Sequence, residues 1–229
     1  LNVLIYGEPG TGKTHLLGTA QDEKQTSPLL VIDIDGGVTT LRHLSGIDVI
    51  QVRSYEQLRD VYQNLFDAVT TDGKLPYGTI GIDTLSELQK LDIGEIAREF
   101  AEGNARLDPD VPDMRAYYKS GEHVRKIVRA FRDLPCNVFF MCHSNSDRDN
   151  LNRLTYFPHL PGKLRHDIPG FLDVVGYLRA EQEDGVTVRY LQTEKTQTVI
   201  AKDRTQALDA VEMNPTIPGL WAKLKESNK

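Results

Sequence analysis

The segment Gly7-Glu8-Pro9-Gly10-Thr11-Gly12-Lys13-Thr14 constrains this chain more than any other. It meets the spacing G-x-x-x-x-G-K-[ST] at every fixed position. It stands between an apolar run, Leu1–Tyr6 (LNVLIY), and a segment that reads as a helix, Thr14–Gln21. Strand, glycine turn and helix in that order make a cradle for phosphate. The glycines let successive backbone N–H groups turn inward around an anion. The start of a helix adds partial positive charge at the same point. In such a cradle Lys13 reaches the β- and γ-phosphates of a nucleotide, and the Thr14 hydroxyl is a ligand for Mg²⁺. All eight residues are therefore expected to bind the cofactor. A chance glycine-rich turn would not come with both flanking elements.

A second metal-side group is expected at the end of another apolar strand. Thr79-Ile80-Gly81-Ile82-Asp83 supplies it, with Asp83 holding Mg²⁺ through water. The plainer alternative for Asp83 is a turn or cap aspartate. Further strands are expected at Leu29–Asp33, Val49–Val52 and Asn137–Cys142. Capping-box patterns, Ser54 with Gln57 and Thr84 with Glu87, open helices expected over Ser54–Val69 and from Thr84 to about Phe100. Asp113 is placed to cap a helix running to Phe131, after a polar loop at 101–112. Residues 144–170 read as long, polar and irregular. Three strand-like runs follow near 171–180, 186–192 and 197–201, the first two joined at Asp184-Gly185. A short helix is expected around Trp221.

Strands alternating with helices through the first two-thirds imply a mostly parallel sheet with helices on both faces. The late cluster implies antiparallel strands at the C-terminal edge. Nothing in the composition marks a linker, so residues 1–229 are expected to form one α/β domain.

The formal net charge is −6, which argues against broad, nonspecific nucleic-acid binding but leaves room for one basic loop. Two cysteines, Cys136 and Cys142, lie at and just before an apolar run and read as buried thiols rather than a bridge or a metal site. The apolar runs are strand-sized, so no membrane span is expected. No signal-peptide pattern is visible. The first residue, Leu1, points to a trimmed start, and a reducing cytoplasm is the expected setting, that of the host if the protein is viral.

An N-K-x-D base-reading motif and an Arg-rich lid are not seen, which turns the reading away from GTPases and small-molecule kinases. Many AAA-type ATPases carry a catalytic Glu directly after the metal Asp. Here Thr84 follows Asp83, so the acid that activates water must come from elsewhere. The segment Val31-Ile32-Asp33-Ile34-Asp35-Gly36-Gly37 resembles the strand end where RecA-type recombinases carry that Glu, and Asp35 takes its place. Phe139-Phe140-Met141-Cys142-His143 is similar to the RecA-like strand ending in a γ-phosphate-sensing Gln, with His143 at that position. Lys202-Asp203-Arg204 resembles the K-x-R finger of RecA- and KaiC-like ATPases, which reaches a neighbouring subunit's γ-phosphate.

Each position has a plainer alternative: a turn cap for Asp33 or Asp35, local bonding for His143, a surface ion pair for Lys202 and Arg204. The order of motifs from Leu1 to Arg204 resembles RecA-like AAA-type ATPases of phages, including single-strand annealing proteins with a minimal RecA core. That resemblance implies a RecA-like P-loop fold and catalytic roles for Lys13, Asp35, Asp83, His143, Lys202 and Arg204. It also implies self-association into a ring or filament with the nucleotide at the subunit interface. Single-stranded DNA is the implied partner, met by 144–170, where Arg153, Lys163 and Arg165 are interleaved with Tyr156 and Phe157. An ordinary solvated loop is the alternative for that segment. A translocating motor and a nucleotide-dependent switch that never touches DNA are the competing functions.

Overall fold

The computed structural model describes residues 1–41, 44–104 and 106–226. Among them, the strands are β1 (Asn2–Gly7), β2 (Leu29–Asp33), β3 (Ile47–Gln51), β4 (Thr79–Asp83), β5 (Asn137–Arg148), β6 (Leu154–Pro158), β7 (Val174–Glu183), β8 (Val186–Gln192), β9 (Lys202–Asp203) and β10 (Val211–Met213). The helices are α1 (Lys13–Gly18), α2 (Tyr55–Asp72), α3 (Leu85–Glu102), α4 (Met114–Arg132), α5 (Leu164–Phe171) and α6 (Ile217–Glu226).

One sheet contains the strands in the order β10-β8-β7-β1-β5-β4-β2-β3. The run from β7 through β3 is parallel. Antiparallel pairing joins β8 and β9 to β7, β10 to β8 and β6 to β5. The fold is thus α/β, with a mostly parallel sheet and antiparallel strands at one edge. No described helix is long and apolar enough to cross a membrane.

Strands buried on both faces need apolar side chains throughout, which is why β1 and β2 read as runs rather than alternations. Successive residues then serve opposite cores. Leu4, Tyr6, Leu30, Ile32, Ile80, Ile82 and Phe140 pack with Leu58, Leu88, Ile127 and Ile168 of α2, α3, α4 and α5. Val3, Ile5, Val31, Phe139 and Met141 pack with Leu16, Leu17, Leu220 and Leu224 of α1 and α6. Each such buried side chain stabilises the fold by about 1.5–3 kcal/mol relative to exposure. The caps form as the sequence predicts. Ser54 Oγ accepts from the Gln57 N–H at 3.0 Å, Thr84 Oγ1 from Glu87 at 3.3 Å, and Asp113 Oδ1 from Arg115 and Ala116. Both thiols are free, and burial pushes each up to about 12.

The structure corrects three expectations. The α-helix after the loop covers only Lys13–Gly18 and tightens into a 3₁₀ turn over Thr19–Gln21. The segment 144–170 is ordered: β5 continues to Arg148, turns, and returns as β6, and α5 follows. Tyr156 of β6 stacks on Tyr177 at 5.0 Å, and its carbonyl accepts from Tyr6 Oη at 3.2 Å, so the hairpin is fastened to the core. The run 197–201 is no strand. Val199 makes one bridge with Tyr156, and the strand that pairs with β7 is Lys202–Asp203.

Candidate functional site

The parallel strands β1, β2 and β4 stop at their C-terminal ends on the same side of the sheet, where β5 runs on past His143. Gly7 of β1 lies in register with His143 of β5, and Asp33 of β2 with Asp83 of β4. Strand ends in an open α/β sheet are where ligands bind, because the chain turns away there and leaves a crevice. Strand β5 separates β1 from β4, so the loop and Asp83 are not carried by adjacent strands. They meet because α1 crosses the sheet. Gly81 of β4 has no side chain, and a Cβ there would lie 2.3 Å from Leu17 Cδ2. Leu17 therefore sits down on β4.

Within the loop, Gly10 and Gly12 have φ of 81° and 94°, backbone that other residues adopt only with strain. Glu8, Pro9 and Gly10 form an exposed tip. Thr11 Oγ1 donates to the Glu8 carbonyl at 2.9 Å and closes the turn. Lys13 is buried, and its Nζ donates to the carbonyls of Gly7 and Glu8 at 2.9 and 3.0 Å. Thr14 Oγ1 donates to Asp83 Oδ2 at 2.6 Å.

The electrostatics follow from burial. Asp83 is 2% exposed, and loss of water pushes its carboxyl up to about 6, against the Thr14 hydrogen bond that favours the anion. Burial lowers Lys13, and Asp83 opposes that shift. A buried carboxylate held beside a hydroxyl at a phosphate cradle is a pair of hard oxygen donors, which suits Mg²⁺. Among the described residues, no group of three or more His, Cys, Asp or Glu could hold a metal ion. A cation at Thr14 and Asp83 would therefore draw its other oxygens from phosphate and water.

Asp33 and Asp35 both cap the turn after β2. Asp33 Oδ1 accepts from Gly36 at 3.0 Å, and Asp35 Oδ1 accepts from Gly37 at 2.9 Å. Asp35 keeps its second oxygen toward His143, with Oδ2 3.9 Å from Nε2. Burial, then the Lys13 charge, lower the His143 pKa from its usual 6.5, so the ring is neutral at pH 7. His143 Nδ1 is buried without a partner. The Nε2–H tautomer fits that setting, because it points a donor toward Asp35 and leaves only a lone pair unmatched. The His143 backbone is fixed by Ser86, whose Oγ accepts its N–H at 3.0 Å.

Lys202 and Arg204 lie elsewhere. Lys202 pairs with Val175, which pairs with Leu4, three residues before Gly7 and ~10 Å back along the strand. Lys202 Nζ donates to the Pro169 carbonyl at 2.6 Å, and Arg204 Nη2 to Gly170 at 3.2 Å. Both side chains thus face the end of α5, and neither touches the loop of its own chain. Arg153 sits at the hairpin turn in an ion pair with Asp149 at 2.6 Å. Arg165 lies over the Phe157 ring at 4.8 Å, and Lys163 is exposed just before α5. Of these three cations, only Arg165 lines the cleft formed with Arg148, Tyr156 and Phe157.

Two contributors have no signal in the sequence. Ser86 holds the His143 backbone, and Arg189 of β8 donates from Nε to the Thr11 carbonyl at 3.2 Å. Only the tertiary pairing brings them to the loop. Comparison with curated proteins returns no match. The sequence does match the AAA domain family over residues 1–205, a span holding the loop, Asp83, His143 and both late cations, and the chain belongs to that family.

Proposed function

We propose that this chain hydrolyses ATP with Mg²⁺ and couples the cycle to single-stranded DNA in phage-type recombination or annealing. The contact between Thr14 Oγ1 and Asp83 Oδ2, 2.6 Å long and made across an intervening strand, carries the ATPase reading. It supplies the two oxygen donors that the magnesium of a bound nucleotide needs, next to Lys13. Thr14 and, through water, Asp83 would hold Mg²⁺, which would supply neutralisation of phosphate charge. The inward amides of Gly10 to Thr14 and the Lys13 ammonium bind the phosphate oxygens. Asp35 accepts a proton from the attacking water and orients it for in-line attack on the γ-phosphorus. The His143 Nε2–H, neutral at pH 7, donates to a γ-phosphate oxygen.

Lys202 and Arg204 stabilise charge on the nucleotide of an adjacent subunit, in a ring or filament. Their distance from the loop of their own chain supports that trans role. The DNA reading is supported by the hairpin: Arg165 stacked on Phe157, with Arg148, Tyr156 and Lys195 lining the same cleft. The Arg153–Asp149 pair neutralises one of the proposed contacts, so that arginine must exchange partners to meet phosphate.

The test is phosphate release from Mg·ATP against protein concentration, with and without single-stranded DNA. Turnover is expected to need Mg²⁺, to disappear in Lys13→Ala and to rise with both concentration and DNA. Unchanged hydrolysis in Lys13→Ala would refute the site. A rate indifferent to DNA, with no binding at low salt, would refute the DNA coupling and favour a nucleotide switch. Directional strand displacement would favour a motor.

A further inference from the structure

The geometry points to Arg189 as a positioning residue for the phosphate loop, acting through the Thr11–Gly12 peptide. This rests on the nucleotide-site reading above and adds a residue from the antiparallel edge to it. The β7–β8 hairpin overshoots β1: Tyr6 pairs with Tyr177, and the hairpin runs on to its turn at Asp184-Gly185. Arg189, opposite Ala180, thus stands beside the loop rather than beside the strand. Its Nε donates to the Thr11 carbonyl at 3.2 Å. A trans peptide is planar, with its C=O and N–H pointing in opposite directions. Drawing the Thr11 oxygen outward to Arg189 aims the Gly12 N–H inward, where a phosphate oxygen accepts it.

Two further observations fit a fixed clamp. Gly12 has φ 94°, and a Cβ there would lie 2.3 Å from Arg189 Nε, so the arginine lies flat against the glycine. The Arg189 backbone is held on both sides by Asn214: its N–H donates to Asn214 Oδ1 at 2.9 Å, and its carbonyl accepts the Asn214 N–H at 2.7 Å. The guanidinium also places a positive charge against the outside of the loop.

The loop amides meet the phosphates that ADP and ATP share, so Arg189 must support both ligands alike. The experiment measures MgADP and MgATP affinity by calorimetry, and KM and kcat, in the wild type, Arg189→Met and Arg189→Lys. Methionine keeps apolar cover on Gly12 without a donor, and lysine restores a cationic donor. Arg189→Met is expected to weaken both nucleotides about tenfold and equally, with the change in KM larger than that in kcat. Arg189→Lys is expected to recover part of the loss. Melting curves of the nucleotide-free variants show whether the hairpin still folds.

Affinities within twofold of the wild type in a folded Arg189→Met would overturn the proposal. A loss confined to MgATP would do the same, since it would mark a γ-phosphate contact instead. So would a fall in kcat at unchanged affinity. If Arg189→Met does not fold, Arg189→Leu, which also lacks a donor, is measured in its place: an equal loss for both nucleotides supports the clamp, and affinities within twofold of the wild type overturn it. A wild type that binds neither nucleotide would sink the nucleotide-site reading itself, a separate failure.

Discussion

Thr14 Oγ1 donates to Asp83 Oδ2 over 2.6 Å, and the carboxylate that accepts this bond is 2% exposed with its pKa pushed up to about 6. The site therefore stores a charge that the metal-free fold resists. In the unfolded chain the same group ionises near 3.8. Between those values the native state holds a proton that the unfolded state has lost, so stability falls as pH rises through the window. The penalty is absent below about 4, complete above about 6, and on the order of 3 kcal/mol. Asp83→Asn keeps an acceptor for Thr14 and removes the charge. In chelator, it is expected to melt above the wild type at pH 7.5 and level with it at pH 4. An equal gain at both values would show that ionisation is not the cause. Mg·ATP should reverse the ranking, because only the carboxylate favours the ion.

His143 and Asp35 face each other at 3.9 Å with the imidazole held neutral. His143→Gln keeps a neutral donor and should retain turnover within about tenfold, whereas His143→Ala should lose about a hundredfold in kcat with KM little changed. Asp35→Asn removes the proposed base and should cost at least as much in kcat. Steady-state phosphate release separates these outcomes. A His143→Ala enzyme with wild-type kcat would leave the histidine with its local bonds alone.

Lys202 and Arg204 face α5, away from the loop of their own chain. Arg204→Ala is expected to lose activity alone and to regain it when mixed with Lys13→Ala, which keeps the arginine. A mixture as inactive as its parts would end the trans role.

Gly81 is a packing requirement inside a strand. A Cβ there meets Leu17 at 2.3 to 2.8 Å, and Leu17 is fully buried. Gly81→Ala should cost about 1–3 kcal/mol and shift α1, weakening nucleotide as well. Adding Leu17→Ala should return part of the stability, since the two residues share one space. Additive losses in denaturant titrations would contradict the contact.

The glycine turn, the strand that ends at Asp83 and the helix caps were legible because each depends on residues close in sequence. Strands β1 and β2 announced themselves as apolar runs. The stretch Ser144–Arg148 did not, because its side chains are polar and poor in β-formers, and its extended form comes from pairing with Leu154–Pro158. Pro169 inside α5 hid that helix in the same way. Arg189 was invisible for a different reason. It lies 178 residues from Thr11, and only the β1–β7–β8 register joins them. Asp33 and Asp35 both cap the same turn, and the one 3.9 Å from His143 is Asp35, the position the resemblance singled out.

Strand β5 runs unbroken from the sheet's interior through His143 to Arg148, where the hairpin turns. From His143 to that turn is ~17 Å of extended chain, with little slack along its axis. The tip and the backbone of His143 are two points on one extended strand, and the Tyr156 anchor opposite Ser146 lies between them, so a displacement of the tip can reach His143 only by carrying that anchor with it.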